Sequence, residues 1–300
     1  MGSAKVERVA ECVAECVAAG SDLLGECPLW DERAQALWWV DILAPALKQL
    51  DPSSGAVKAN RLPEPMGSFA FREQGGLVAA MKSGLFLLDA AYASVERVAS
   101  PEEDRPGNRF NDGRCDRAGR FWAGTMNDAG RSPDGALYRL SADRSCTRMR
   151  SGVIVPNGLA WSPDGRTMYF ADSVRDLIWS FDYDPASGTP SNERVFADCA
   201  PNPGYPDGAC VDADGCLWSA EYAGWRVARY TPEGKIDRVI ELPVQFPTCC
   251  CFGGADFDVL YITSASKDVA ADKRTKQPLA GSLFAVRPGV KGLPESRFAG

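Results

Sequence analysis

The chain has 300 residues, 45% hydrophobic and 24% charged, with a formal net charge of −7 and no histidine. This composition can bury a large core, and its acidic balance repels a phosphate backbone, which argues against a nucleic-acid partner. The missing histidine excludes Ser-His-Asp and Cys-His catalysis, His-ligated zinc and any imidazole base, so a site must be built from carboxylates, amides, Lys, Arg, Tyr, thiols or a metal held by oxygen.

Residues 1–20 carry Lys5, Glu7, Arg8, Glu11 and Glu15, which interrupt any signal-peptide core, and no apolar run approaches the roughly 20 residues a bilayer requires. The eleven cysteines are odd in number and form no C-x-x-C pair. A cytoplasmic protein with free thiols and no membrane partner is expected. Cys249, Cys250 and Cys251 are adjacent, so in a strand they point to alternate faces and read as core thiols, not as a metal site.

A repeated unit then runs along the chain: an Asp- or Gly-containing turn, an aromatic or β-branched run, and a second apolar run. It reads Trp30-Asp31-Glu32-Arg33 before Leu37-Trp38-Trp39-Val40, and Arg72-Glu73-Gln74-Gly75 before Leu77-Val78-Ala79-Ala80. It returns as Asp116-Arg117-Ala118-Gly119 before Phe121-Trp122-Ala123-Gly124, and as Ser162-Pro163-Asp164-Gly165 before Met168-Tyr169-Phe170-Ala171. The last two are Asp212-Ala213-Asp214-Gly215 before Leu217-Trp218-Ser219-Ala220, and Gly254-Ala255-Asp256-Phe257 before Val259-Leu260-Tyr261-Ile262. The turn glycines 75, 119, 165 and 215 are 44, 46 and 50 residues apart, a period that signals propeller blades of several short strands. Most of these Asp-Gly pairs are turns only, because Asp caps its own turn and Gly accepts positive φ. Residues 6–19 are helical by composition but are expected to give a strand that closes the ring with the last blade. Residues 265–282 are polar and read as a surface loop, and one domain over residues 1–300 is expected.

Four segments interrupt the repeat at nearly one phase. They are Gly25-Glu26-Cys27-Pro28, Asn108-Arg109-Phe110-Asn111-Asp112-Gly113, Val155-Pro156-Asn157-Gly158 and Tyr205-Pro206-Asp207-Gly208. Each alone is an ordinary turn; together they place Glu26, Asn111, Asn157 and Asp207 at the mouth of the axis. Two carboxylates and two amides facing one another are costly when desolvated, and a divalent cation compensates them. Oxygen ligands favour Ca²⁺, Mg²⁺ or Mn²⁺, and less selectively Zn²⁺ or Fe²⁺. Asp172 is a further candidate for the axis, with strand termination as its competing reading.

These segments, with Gly119-Arg120-Phe121-Trp122-Ala123-Gly124-Thr125-Met126 and Cys250-Cys251-Phe252-Gly253-Gly254, occur in the order found in one family. Over roughly residues 20 to 285 the chain resembles the senescence marker protein (regucalcin), gluconolactonase and luciferin-regenerating enzyme family. The resemblance implies an all-β, six-bladed propeller with one divalent metal on the axis, held by Glu26, Asn157 and Asp207. It also implies that Asn111 lies beside the metal or contacts substrate, and that Arg109 reaches substrate hydroxyls. Animal members carry a substrate-contacting Glu shortly after Gly-Thr-Met; here the stretch is Asn127-Asp128-Ala129, which makes Asp128 the candidate replacement.

The expected reaction is hydrolysis of an aldonolactone (glucono-, galactono-, arabinono- or xylonolactone) by a monomer or weak dimer. Asp207 is the expected base. Arg109 would fix hydroxyls through its planar fork. Tyr222 and Trp225 would wall a sugar ring, or pack as core aromatics. The competing readings are a metal-dependent hydrolase of other esters or organophosphates, and a non-catalytic calcium-binding regulatory propeller.

Overall fold

In the computed structural model, which describes residues 7–8, 13–92 and 95–300, six antiparallel sheets are arranged around one axis. Each sheet is one blade of a β-propeller. The innermost strands, in chain order, are Gly25–Asp31, Met66–Phe71, Asn108–Cys115, Pro156–Trp161, Tyr205–Val211 and Pro247–Gly253. Each packs against the inner strands on either side, so the ring is continuous.

The first four blades use consecutive strands, and the sixth does not. Its sheet is Pro247–Gly253, Val259–Ser264 and Leu283–Val286, completed on the outside by Glu15–Ala18 from the start of the chain. Cys16 lies opposite Phe284 and Glu15 opposite Ala285. The pairing joins the two ends of the chain by backbone hydrogen bonds and leaves no unpaired edge between first and last blade. The fifth blade gains a short parallel strand, Glu7–Arg8, beside Ile236–Glu241. No helix among the described residues is long and apolar enough to cross a membrane.

The turn carboxylates do more than turn the chain. Asp212 Oδ1 accepts from the amides of Asp214 (3.0 Å) and Cys216 (2.9 Å), while Oδ2 accepts from Trp218 Nε1 (2.9 Å) and Arg229 Nε (2.8 Å). Asp116 repeats the pattern two blades earlier, bonding the amides of Ala118 and Arg120, the indole of Trp122 and the Arg120 guanidinium. The spacing Asp-x-x-Gly-x-x-Trp thus ties the turn to an indole inside the blade. In the fourth blade the equivalent positions are Ser162 and Met168, and Asp164 instead bonds Ser162 and the Arg166 amide at the surface.

Every inner strand carries a bulge near its start: between Glu26 and Leu29, Met66 and Ser68, Phe110 and Gly113, Asn157 and Ala160, Pro206 and Ala209, and Pro247 and Cys250. An extra residue at this point bends the strand and re-aims side chains. Aligning the bulges puts Glu26, Gly67, Asn111, Asn157, Asp207 and Thr248 at one level of the axis.

Replacing Asp212 by Ala strands a buried indole N–H, two turn amides and part of the Arg229 charge. It is expected to cost about 3–5 kcal/mol, against under about 1 kcal/mol for Asp164→Ala at its exposed turn. Urea unfolding of the two variants checks the difference.

Candidate functional site

The bulged ends of the inner strands open into a cavity of about 630 Å³. Glu26, Arg109, Asn111, Asp128, Asn157, Asp207 and Tyr222 all line it. Trp225 does not; it is exposed beside the mouth. Of the six residues on the axial level, Gly67 and Thr248 are absent from the walls for identifiable reasons. A Cβ at Gly67 would lie 2.5 Å from the Phe110 carbonyl oxygen, and Thr248 Oγ1 is turned away to Gly25 O and Thr263 Oγ1.

The amides and the guanidinium form one chain of bonds. Arg109 Nε donates to Asp128 Oδ1 (2.8 Å), and one terminal nitrogen donates to Asn111 Oδ1 (2.8 Å) and Phe110 O (3.0 Å). Asn111 Nδ2 donates to Asn157 Oδ1 (3.1 Å) and Pro156 O (3.0 Å). Asn157 Nδ2 donates to Ser173 Oγ (2.8 Å), which donates to Pro206 O (2.7 Å). The chain crosses three blades and fixes both amides with their oxygens defined. The other terminal nitrogen of Arg109 has no protein partner among the described residues, although the residue is only 6% exposed. Its donors are free for a ligand.

The two carboxylates are treated differently. Glu26 receives one long bond from the Cys27 amide (3.3 Å). Burial, reinforced by the Asp112 charge, pushes its pKa up to about 8. Burial also pushes Asp207 far above the ordinary carboxylate range, with Glu26 the next cause and Asp112 after it. Lys267 acts on both in the opposite sense, too weakly to offset burial. Two buried acids thus share one level with almost no donors, beside amide oxygens. No group of three or more Cys, Asp or Glu side chains among the described residues is placed to hold a metal; this set is two carboxylates with amides.

Several wall residues carry no sequence signal of the axial kind. Lys267 and Asp268 come from residues 265–282, expected to be a plain surface loop. That segment instead buries Val269 and Gln277, forms a short 3-10 helix at Ala271–Lys276, and turns Lys267 and Asp268 into the cavity. Tyr222 OH donates to Asp268 Oδ2 (2.5 Å), and the Lys267 ammonium lies 5.7 Å from the Tyr222 ring centre. Phe246, 4.9 Å from the same ring, completes an aromatic wall. Asp172 is not on the axis. Its oxygens accept from the amides of Ile154 (2.9 Å) and Val155 (3.0 Å) and pair with Arg175, which makes it a loop anchor.

The model of the SMP-30/gluconolactonase/LRE-like region matches residues 24–266. The chain belongs to the SMP-30/gluconolactonase/LRE-like family. Within the family it is similar to a 6-deoxy-6-sulfogluconolactonase of Pseudomonas putida, 42% identical over 95% of this chain and 98% of that one. It is also similar to a regucalcin of Xenopus laevis, at 39% identity with the same coverages. The solved structure of a calcium-binding regucalcin from Agrobacterium tumefaciens superposes with a TM-score of 0.92 at 32% identity, covering 96% of this chain and 97% of that chain. The six-bladed propeller is therefore the architecture of the family.

A buried acid with a raised pKa keeps its proton in the folded state after the unfolded chain has lost it. The unfolded state then binds fewer protons, and stability falls as pH rises from the ordinary Glu value of 4.5 to about 8. In chelator, unfolding free energy is expected to drop over this window, and Glu26→Gln to flatten the drop. Urea midpoints between pH 5 and 8.5 measure both.

Proposed function

We propose that the chain is a metal-dependent sugar lactonase that opens an aldonolactone to its aldonic acid. The observation that carries this reading is the pairing of two nearly donor-free buried carboxylates, Glu26 and Asp207, with fixed amide oxygens at one level of a sugar-sized cavity. The donor set fits a hard divalent cation: all donors are oxygen, two are anionic, and among the described residues no countercharge lies within bonding distance of them. Glu26, Asn157 and Asp207 would hold it, with Asn111 braced beside them. A cation bound there would supply Lewis-acid stabilisation of a developing oxyanion and would acidify bound water. The calcium-binding description of the Agrobacterium relative supports a cation, and the lactonase name of the Pseudomonas relative supports the reaction.

The chain's own residues have separable tasks. Asp207 takes the proton from the attacking water as the water oxygen bonds to the lactone carbonyl carbon. The same proton is then passed to the ring oxygen as the ester C–O bond breaks, which leaves a carboxylic acid and a hydroxyl, and the acid then loses its remaining proton to solvent. With no histidine in the chain, a carboxylate of raised pKa is the group suited to this role. Arg109 aims its free terminal nitrogen at sugar hydroxyls, and Asp128 holds the guanidinium through Nε. Asp128 thereby acts on the substrate through Arg109, in place of the acidic contact of animal members. Tyr222 and Phe246 give the ring an apolar face, fixed by the Asp268 hydrogen bond.

Proton release from a panel of aldonolactones, with and without chelator, tests the reading. Metal-dependent turnover is expected, and a complete lack of turnover with metal present would remove it. Asp207→Ala is expected to lower kcat by about 10²–10⁴-fold while the far-ultraviolet spectrum is unchanged. Arg109→Lys, which loses the fork, is expected to raise KM about tenfold with a smaller change in kcat.

A further inference from the structure

Below the level of Glu26 and Asp207 the axis holds a second set of charges. Asp112 Oδ2 accepts from the Leu159 amide (2.9 Å) and Oδ1 from the Gly113 amide (2.9 Å). Two residues farther along the same inner strand is Arg114, whose side chain is 5% exposed. One terminal nitrogen of Arg114 is bonded to Glu295, and its Nε is buried with no partner among the described residues.

Glu295 reaches the axis from the other side of the ring. Residues 291–300 cross the ends of the inner strands opposite the cavity. Lys291 O accepts from Ala213 N (2.8 Å), Arg297 bonds Asp31 (2.6 Å), Phe298 N donates to Phe71 O (2.7 Å), and Ala299 N donates to Gly119 O (3.0 Å). The tail therefore spans blades one, two, three and five, and its one acid is aimed into the channel. A guanidinium is enclosed between two acidic groups, Asp112 on the cavity side and Glu295 on the tail side. The fields add along the axis: Arg114 favours the charged form of Asp112, and Glu295 opposes it.

We propose that Arg114 and Glu295 are positioning residues that set the cation affinity of the cavity from the opposite face. Glu295 cancels the positive field that Arg114 would otherwise direct at the Glu26–Asp207 level. The inference rests on the cation reading of that level. Arg114 lies three residues beyond Asn111 on the bulged inner strand, at most about 10 Å along it. Over such a distance through protein, one unit of charge acting on a divalent ion changes its affinity by an order of magnitude or more. Water screens this little, because Arg114 is enclosed.

The test is calorimetric titration of the full chain with Ca²⁺, and separately with Mn²⁺, at low ionic strength. Glu295→Gln leaves Arg114 without its tail-side acid and is expected to weaken binding about tenfold. Arg114→Met removes the buried cation and is expected to tighten binding by a similar factor. The double variant is expected to return near the wild-type value. Both single substitutions break the same buried ion pair, so both lower Tm, while the affinities move in opposite directions. A purely structural role would weaken binding in both or leave it unchanged in both, and either result overturns the proposal. If Glu295→Gln does not fold, Arg114→Met decides alone: tighter binding supports the proposal, and equal or weaker binding overturns it. A wild-type chain that binds neither ion overturns the cation reading together with this inference, whereas wild-type binding with shifts of one sign overturns only the inference.

Discussion

The structure is organised around the confinement of Glu26 and Asp207 at one level of the axis. Neither can be ionised cheaply there, since burial dominates both and each charge opposes the other. A folded chain that keeps two such groups sets stability aside for something else, and the rest of the molecule is rigid enough to bear it. The six inner strands pack into a closed ring, and the Glu15–Ala18 strand locks the last blade to the beginning of the chain. The acids cannot relax apart without opening that ring. The neighbouring amides are equally constrained, because the bonds from Arg109 through Asn111 and Asn157 to Ser173 fix them across three blades.

A repeat explains how so specific a level arises from an ordinary scaffold. The bulge recurs in all six inner strands, so it is a property of the blade and was available before any chemistry was placed on it. Each blade offers one position at the mouth. Four of them carry acids or amides. The fifth is glycine because Gly67 must lie against the Phe110 and Asn111 carbonyls, and the sixth is a threonine whose hydroxyl is engaged within the ring. The scaffold thus contributes direction and depth, and side-chain identity contributes charge.

The residues at the repeated position were legible in the sequence because they share a phase with respect to turns that are themselves easy to read. Glu26, Asn111, Asn157 and Asp207 stand just upstream of Asp- and Gly-marked units, and their joint spacing carries more than any one Pro-Asn-Gly. The same method leaves two readings open for Asp172, since a carboxylate at a strand end looks alike whether it faces the axis or caps two loop amides, and the structure bears out the strand-end one. It also passes over Lys267, Asp268 and Phe246. These belong to the connections around the last blade, where no period applies, and a polar stretch such as 265–282 resembles any surface loop until packing of Val269 and Gln277 fixes its path. The second role of Asp116 and Asp212, holding an indole inside the blade, lay hidden for a related reason. Capping predicts the turn bonds from local sequence, whereas the Trp contact depends on the strand that follows.

The charges along the axis also give a reason why the mouth, and no other level, is the place for a ligand. Asp112 is met by two backbone amides and by the field of Arg114; Arg114 is met by Glu295; Arg229, deep in its blade, is met by Asp212, Asp214 and Asp237. At each of these places a buried charge has an answering group in the chain, as the cost of an unpaired buried ion demands. Glu26 and Asp207 lack such an answer, and they are also the level that opens to the cavity. At those places the protein supplies the partner itself. At the mouth the partner can come from solution, and the imbalance is the physical feature by which a small cation and a polar substrate would be recognised.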